Sequence, residues 1–375
     1  MRVLVLNHEY PPVGGGGGQA AQDIAKELTR RGHEITILTA HLKGLPRDEV
    51  VDNIRILRLP SLRKRPYRVG FLAMGMYILA AIGAGFPLIR RWRPDIIHAH
   101  FAVPAGAAAW ILSRLTGIPY VLTAHLGDIP GGVPEKTGKW FRWVFPFTVP
   151  IWQGAARIVT VSDYTCSLIR QHYAVNPVVI PNGINMEMVN PEMLQVHSPP
   201  AVIFAGRFMP QKNLIELVET LALVQDLPWK CSMLGDGPLL DEVKRTIATY
   251  NLDERFYLPG WVTTEEVLAH LAQSDLLFMP SLSEGLSVVG LQALAMGLAI
   301  VASRAGGNVE LVEPGYNGFL ADPGDRKALS TALRSLLSDR RALQNARQAS
   351  RDLARRFDIR TVVDQYETIF REIVS

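Results

Sequence analysis

The fold class is indicated most directly by the segment Pro280-Ser-Leu-Ser-Glu284-Gly-Leu-Ser-Val-Val-Gly-Leu-Gln292-Ala-Leu-Ala-Met-Gly297. The apolar run before it, residues 275–279, predicts a buried parallel strand, and its second half predicts a helix over 287–296 that ends at Gly297. The turn between strand and helix leaves backbone N–H groups free, and the helix dipole favours an anion there. In a doubly wound sheet this turn lies at the ligand-binding edge. A carboxylate at this position, Glu284, suits the hydroxyls of a sugar, although an ordinary solvated turn is the alternative.

Length and composition set the class of protein. The chain has 375 residues, of which 48% are hydrophobic and 20% charged, so we expect two globular domains with large cores. Cys166 and Cys231 are far apart and form no disulfide or metal-binding pattern, which predicts a reducing, cytoplasmic location. The chain begins directly with a strand pattern, so no signal peptide is expected.

The charge is unevenly distributed. Residues 1–185 hold 21 Lys and Arg against 11 Asp and Glu, whereas residues 186–375 hold 18 against 24. The basic half predicts an anionic partner, either a membrane surface or nucleic acid. Because no nucleic-acid-binding module is present, we predict an anionic membrane surface and no nucleic acid.

The first half opens with a strand, glycine loop, helix and strand, at residues 3–6, 14–18, 19–31 and 35–39. This order is typical of a Rossmann-like domain, in which glycines let the backbone approach a ligand closely. The dinucleotide fingerprint and the Walker A sequence are both absent, and a merely flexible loop is the alternative.

Residues 69–89 carry no charge and have basic residues on both sides. These flanking residues are Arg63, Lys64, Arg65, Arg68, Arg90, Arg91 and Arg93. We favour a helix that packs on the sheet and leaves an apolar face for a membrane interface. A wholly buried core helix fits about as well, and a spanning helix ranks last because the segment has four glycines, a proline and equally basic flanks.

Further strand patterns of the first half occur at 95–100, 120–123, 158–161 and 178–180. His125 and Asp128 follow one of these strands at the ligand-binding edge, although a structural role is the common alternative for such a histidine. The aromatic segment 140–152 predicts a helix, either at a surface or in the core. Asn182 lies in the turn that ends this domain, for which we predict residues 1–185.

The second domain is predicted over residues 186–357, after a linker at 186–199. Its predicted strands are 201–205, 230–234, 255–258, 275–279, 299–302 and 318–320. The last helix, within 358–375, has an apolar stripe that we expect to complete the first domain. Arg207 and Lys212 follow the first of these strands, where two cations suit a diphosphate. Gly235 and Gly237 form a similar turn after the next strand.

Taken together, these motifs resemble the retaining GT-B glycosyltransferases of family 4 nearly end to end. The matching segments are Pro12-Val-Gly-Gly15-Gly16 with Gly32-His33, Thr123-Ala-His125, Pro181-Asn182-Gly183-Ile184, Gly206-Arg207 with Lys212, Ser283-Glu284-Gly285-Leu286, Ala293-Leu-Ala-Met-Gly297 and Ala305-Gly-Gly-Asn-Val-Glu310. The resemblance implies an α/β chain of two Rossmann-like domains facing across a cleft. A UDP- or GDP-linked sugar would bind there, and neither a metal nor another cofactor is needed.

The resemblance also implies a role for each site residue. Arg207 and Lys212 would bind the diphosphate, with Gly15, Gly16, Gly206, Gly235 and Gly237 lining the donor site. Glu284, with the Gly285, Leu286 and Ser287 backbone, would hold the sugar hydroxyls. His125 would position sugar or acceptor, and Asp128 and Asn182 would lie on the acceptor side.

Gln292 departs from the family pattern, which has a glutamate here that binds the nucleotide ribose. An amide makes weaker, uncharged hydrogen bonds, so we expect an altered hold on the nucleotide. The favoured hypothesis is a transferase that builds cell-surface glycan or glycolipid at the inner face of the cytoplasmic membrane. The alternatives are an epimerase or phosphorylase of similar architecture, which lacks support in the sequence, and a non-catalytic nucleotide-sugar-binding or scaffold protein.

Overall fold

The apolar runs of the sequence form the strands of two separate β-sheets. A computed structural model describes residues 1–64, 69–133, 141–188 and 194–375. Within these residues the first sheet contains β1 (Arg2–Leu6), β2 (Glu34–Ala40), β3 (Asp48–Val51), β4 (Ile54–Leu59), β5 (Ile96–His100), β6 (Tyr120–Ala124), β7 (Arg157–Thr160) and β8 (Val178–Val179). The second contains β9 (Ala201–Ala205), β10 (Lys230–Leu234), β11 (Phe256–Gly260), β12 (Leu276–Met279), β13 (Ala299–Ser303) and β14 (Gly318–Ala321).

Helices lie between most strands of both sheets. They are α1 (Gly16–Arg30), α2 (Phe71–Trp92), α3 (Ala107–Thr116), α4 (Phe141–Gln153), α5 (Asp163–His172), α6 (Leu214–Ala222), α7 (Leu240–Thr249), α8 (Thr264–Ala272), α9 (Val288–Ala295), α10 (Arg326–Leu337), α11 (Arg340–Ala354) and α12 (Ile359–Val374). The first unit comprises residues 1–183 and 359–375, and the second comprises residues 184–358. The boundary predicted at 185/186 falls at 183/184.

Both sheets are those of doubly wound α/β domains. The first has the order β3-β4-β2-β1-β5-β6-β7-β8, with only the β3–β4 pair antiparallel. The second has the order β11-β10-β9-β12-β13-β14 and is parallel throughout the described residues. The predicted class of two Rossmann-like α/β domains is therefore confirmed.

Helices cover both faces of the first sheet. On one face, α1 and α12 pack against β1, β2 and β5, and Val363, Tyr366 and Phe370 of α12 are fully buried there. On the other face lie α2, α3 and α4, with α3 packed between its two neighbours. The last helix of the chain therefore belongs to the core of the first unit.

The hairpin of β3 and β4 was absent from the prediction. Its turn consists of Asp52 and Asn53, which both have positive φ angles, 52° and 61°. Asp and Asn tolerate this conformation and form tight hairpin turns. An Asp-Asn pair between two β-branched segments was therefore the available signal. Helix α1 also begins three residues before the predicted position. Its first three residues are glycines, which have a low helix propensity and were therefore assigned to the preceding loop.

Helix α2 leaves an apolar face exposed, as the favoured interpretation predicted. Its inner side packs on the sheet through small residues, and the Tyr77 hydroxyl donates to the Leu38 carbonyl at 2.8 Å. On its outer side Phe71, Leu72 and Leu79 are 65%, 72% and 68% exposed. The prediction of a wholly buried helix was therefore wrong. By length and composition α2 is the one helix in the described ranges able to cross a bilayer, but core helices also meet that criterion.

The basic residues at the start of α2 differ in their environment. Lys64 is exposed, whereas the Arg63 side chain is buried and donates to the His8 carbonyl at 3.1 Å. Arg63 therefore does not form part of a basic surface, contrary to the prediction. Arg65 and Arg68 lie outside the described residues, as do residues 189–193 of the predicted linker.

Candidate active site

The second unit has its topological switch point between β9 and β12. These strands are adjacent, although β10 and β11 come between them in the chain. The loops that follow them, residues 206–213 and 280–287, therefore lie side by side at the carboxyl edge, where doubly wound sheets bind ligands. The Leu282 N–H donates to the Gln211 carbonyl at 2.7 Å and ties the two loops together.

Two predicted site residues, Lys212 and Glu284, form an ion pair across these loops. The distance from Lys212 Nζ to Glu284 Oε1 is 2.5 Å, and the side chains are only 14% and 7% exposed. The Ser281 hydroxyl donates to the same oxygen at 2.8 Å. The Gly307 N–H donates to the Glu284 carbonyl at 3.0 Å, and a Cβ on Gly307 would lie 1.7 Å from the Gly285 oxygen. Glu284 is thus fixed at both its side chain and its backbone.

Arg207 lies in the same loop as Lys212 but has no such partner. Its side chain is partly exposed and forms no hydrogen bond or ion pair with the described residues. The glycines of this edge are required by packing. A Cβ on Gly235 would lie 1.9 Å from the Gly206 oxygen, and one on Gly237 would lie 2.4 Å from the Phe208 oxygen. Their contact with a donor stays a prediction.

The N-terminus of α9 completes this group. Ser287 precedes the helix as its N-cap, and its hydroxyl accepts the Gly290 N–H at 3.2 Å, so the predicted helix start shifts by one residue. Leu286 is buried beside it. Gln292 lies further along the helix, 5% exposed, and its amide has no hydrogen-bond partner in the described part of the chain.

The first unit has an equivalent switch point between β1 and β5. Glu9 follows β1, is buried, and accepts the Gly15 N–H through Oε2 at 3.2 Å. Gly15 is the N-cap of α1 and Gly16 its first residue. The buried Arg63 guanidinium lies 3.7 Å from Glu9 Oε1. Glu9 was not among the predicted site residues, although its place just after the first strand was the available signal.

His125 lies at the carboxyl end of β6, next to this switch point. The residue as a whole is partly exposed, and its ring lies 4.8 Å from the Phe101 ring, centroid to centroid. Its Nε2 is 3.0 Å from Nδ1 of the buried His100 at the end of β5. Burial lowers the pKa of His125 to about 4, so the imidazole is neutral at neutral pH. His100 was also missed, although 98 and 100 are alternate strand positions that share one face.

The two predicted acceptor-side residues are both buried. The Asp128 carboxylate accepts the Ala102 N–H and so holds the chain where it leaves β5. Asn182 lies beyond β8. An acceptor contact for either stays a prediction. Within the described ranges no cluster of three or more His, Cys, Asp or Glu residues is suited to a metal ion. Cys166 and Cys231 are buried free thiols.

Two family models match adjacent parts of the chain. The model for Glycosyltransferase Family 4 matches residues 14–188, and that for Glycosyl transferases group 1 matches residues 190–353. The chain belongs to the group 1 glycosyl transferases. The family predicted from the motifs is therefore confirmed, and this glycosyltransferase is a transferase that uses nucleotide sugars.

Individual proteins show the same similarity over the full length. An uncharacterized glycosyltransferase of Methanocaldococcus jannaschii is 25% identical over 373 residues, which cover 100% of this chain and 99% of the relative. Sucrose-phosphate synthase from Thermosynechococcus elongatus superposes with a TM-score of 0.87 at 19% identity, covering 100% and 99% of the two chains. Anabaena HepE in complex with UDP and glucose superposes with a TM-score of 0.78 at 21% identity, covering 99% of this chain and 100% of HepE. This group 1 glycosyltransferase accordingly has the GT-B fold.

Proposed function

We propose that this glycosyltransferase moves a sugar from a UDP- or GDP-linked donor to a lipid-linked or polysaccharide acceptor in cell-surface glycan synthesis. We further propose that it retains the anomeric configuration and works without a metal ion. The observation that carries the proposal is the group of Arg207, Lys212 and Glu284 at the switch point of the second sheet. The HepE structure, which contains UDP and glucose, supports a nucleotide-sugar ligand.

The two cations provide the charge that a diphosphate leaving group needs. Arg207 has no partner among the described residues, and its guanidinium offers paired N–H donors that match a phosphate. The Lys212 ammonium has three N–H donors, of which Glu284 accepts one. Fixed cations beside the phosphate stabilise negative charge as it develops there, so we assign both residues to the leaving group.

Glu284 is assigned to the sugar. Both donors to its carboxylate, Ser281 and Lys212, bind Oε1, and Oε2 accepts no hydrogen bond from the described residues. That oxygen is therefore available to a sugar hydroxyl. Gln292 is assigned to the ribose of the nucleotide, where its amide both donates and accepts a hydrogen bond.

The proposed transfer takes place on one face of the sugar. The bond between the anomeric carbon and the phosphate oxygen breaks, and the acceptor oxygen bonds to the anomeric carbon on the same face. The acceptor hydroxyl gives its proton to an oxygen of the departing diphosphate. His125 positions the sugar or the acceptor, and no protein base is required.

We also propose that the protein is cytoplasmic and contacts the inner face of the membrane through α2 and α4. Leu72 and Leu79 on α2 and Phe147 on α4, which is 78% exposed, are exposed apolar side chains on helices that cover the same face of the first sheet. Exposed cations adjoin both ends of α2, namely Lys64, Arg90, Arg91 and Arg93. An apolar face between cations suits an anionic bilayer surface.

Flotation with anionic liposomes tests the membrane contact. We expect wild-type protein to float and the double variant Leu72→Glu/Leu79→Glu to stay in solution. Leu223→Glu, at a 53% exposed position on the second unit, is the control and should float. Wild-type protein that remains at the bottom of the gradient contradicts the contact.

The donor assignment is tested by thermal shift with UDP, GDP, ADP and their sugar conjugates. A ligand at a hundred times its Kd adds about 2.7 kcal/mol, which is readily measured. Lys212→Ala should lose most of this shift and most turnover, whereas Lys230→Ala, at the opposite edge of the sheet, should not. An unchanged rate in Lys212→Ala contradicts the diphosphate assignment. A nucleotide shift with no turnover on any glycan or lipid acceptor favours the non-catalytic alternative.

A further inference from the structure

Three histidines lie together at the carboxyl edge of the first sheet. His98 and His100 are alternate residues of β5, and His125 follows the paired strand β6. The His98 and His100 ring centroids are 4.2 Å apart. The His100 and His125 rings are nearly parallel, at 18°, with Nδ1 of His100 3.0 Å from Nε2 of His125. The proposed function assigns a role to His125 alone.

All three imidazoles are neutral at neutral pH. Burial lowers the pKa of His98 to about 3 and that of His125 to about 4, and it lowers the pKa of His100 well below its ordinary value. A neutral imidazole carries one proton on one nitrogen. The His100–His125 hydrogen bond therefore has only two forms, with the proton on His100 Nδ1 or on His125 Nε2.

The second nitrogen of His100 decides between the two forms. His100 Nε2 is buried and has no hydrogen-bond partner within the described residues. If His100 Nδ1 accepted the bond, Nε2 would have to carry the proton as a buried N–H without a partner. Orphaned buried N–H groups are rarer than orphaned acceptors. His100 therefore carries its proton on Nδ1 and donates it to His125 Nε2.

The tautomer of His125 follows from this bond. Because Nε2 of His125 accepts, its single proton must be on Nδ1. Nδ1 of His125 has no partner within the described ranges and, unlike Nε2 of His100, is not one of the fully buried unpaired nitrogens, so this N–H is open to a ligand. We propose that His100 is a positioning residue that fixes His125 as the Nδ1–H tautomer, so that His125 donates a hydrogen bond to an oxygen of the sugar or acceptor.

The backbone around both rings holds this arrangement in place. Each histidine is followed by a non-glycine residue with a positive φ, Phe101 at 71° and Leu126 at 91°. On the other side, a Cβ on Gly17 would lie 2.4 Å from the Phe101 ring and 3.3 Å from His125 Cγ. The glycine start of α1 therefore packs directly on these rings.

The inference rests on the proposed function only in that His125 contacts substrate. Its consequence for the reaction is specific, because an Nδ1–H donor has no lone pair on that nitrogen with which to remove a proton. His125 then orients an oxygen, and the acceptor proton goes to the departing phosphate oxygen.

The tautomer is measured directly by two-bond 1H–15N NMR correlation on wild-type protein labelled with 15N-histidine. His98→Gln, His100→Asn and His125→Asn identify the three ring signals by their loss. We expect His125 to be protonated on Nδ1 at pH 7. Protonation on Nε2 overturns the proposal. The NMR measurement does not depend on turnover, so it tests the tautomer of His125 even if the proposed function is wrong.

Variants then test the role of His100. His100→Leu should shift His125 toward the Nε2–H form and lower kcat about tenfold, the value of one neutral hydrogen bond. His100→Asn, whose amide N–H replaces Nδ1–H, should restore both the Nδ1–H signal and the rate. Likewise His125→Asn, with its N–H near the Nδ1 position, should retain more activity than His125→Gln. Equal rates in His100→Leu and wild type, or in His125→Asn and His125→Gln, overturn the positioning role.

Discussion

Acid should destabilise the first unit through its buried histidines, and His98 allows the effect to be isolated. Its ring is fully buried, with Nε2 2.9 Å from the Thr123 hydroxyl oxygen. Burial, with a smaller effect of nearby His125, lowers its pKa from 6.5 to about 3. Between these pH values the unfolded chain binds a proton that the folded chain excludes. The free energy of unfolding therefore decreases as the pH falls from 6.5 towards 3.

The size of the effect follows from the two pKa values. At pH 7 an unfolded histidine is mostly neutral, whereas at pH 5 it is almost fully protonated. Folded His98 is neutral at both. The protonation of the unfolded state between pH 7 and pH 5 therefore lowers the free energy of unfolding by about 2 kcal/mol.

Other groups titrate in the same range. His100 and His125 act in the same direction as His98, whereas Asp23, whose pKa burial raises to about 7, acts in the opposite direction. A comparison with His98→Gln cancels these contributions. Glutamine keeps an N–H near the Nε2 position that bonds Thr123 but does not titrate.

Hydrogen exchange of β6 amides, corrected for intrinsic rates, measures the free energy of opening of this unit at pH 7 and pH 5. We expect wild type to lose about 2 kcal/mol more than His98→Gln over this interval. If both proteins lose the same amount, His98 is not held neutral by burial and the reasoning is refuted.

Three further predictions concern the second unit. Ser281→Ala should lower kcat/KM about tenfold with little change in Tm, because Glu284 loses one of the two donors that hold its carboxylate. Gln292→Glu should lower the Kd of the nucleotide identified by thermal shift about tenfold, measured by calorimetry, because a carboxylate accepts charge-assisted hydrogen bonds from ribose hydroxyls. Arg347→Met should lower the free energy of unfolding by about 3–5 kcal/mol in urea, because the buried Asp275 loses its guanidinium and keeps only His197 and backbone N–H groups as partners among the described residues.

Matched variants separate these effects from unspecific ones. Ser281→Thr keeps the hydroxyl and should keep the rate, and an equal loss in both variants argues against the hydrogen bond to Glu284. Gln273→Glu, on the surface, should leave nucleotide affinity unchanged. Arg334→Met breaks an exposed ion pair and should change stability little; a loss as large as that of Arg347→Met contradicts the argument from burial.

The fold was largely predictable because parallel strands buried on both faces read as continuous apolar runs. The apolar run 201–205, for example, matches β9 residue for residue. The β3 strand was missed for the same physical reason. It lies at the edge of the sheet, Val50 and Val51 on it are exposed, and its sequence has no continuous apolar run.

Residue types at strand ends were predictable, but their pairing was not. Lys212 and Glu284 were identified separately, one for the phosphate and one for the sugar. Their ion pair depends on β9 lying next to β12, a strand order that no local pattern specifies. The Glu9–Arg63 contact was also not predictable from local sequence. A basic residue before an apolar helix has the same local pattern whether it is exposed or buried.

The Lys212–Glu284 pair joins the residue assigned to the phosphate with the residue assigned to the sugar. The Lys212 ammonium is paired with Glu284, whereas the Arg207 guanidinium has no partner among the described residues of this edge. A phosphate oxygen that binds Lys212 need not displace Glu284, because the ammonium has further N–H donors. We infer that the pair persists when the donor binds and holds phosphate and sugar ligands on adjacent atoms of one rigid group. Substituting either residue should therefore weaken the binding of both the diphosphate and the sugar of the donor. Glu284→Gln should weaken the affinity for UDP-sugar more than that for UDP.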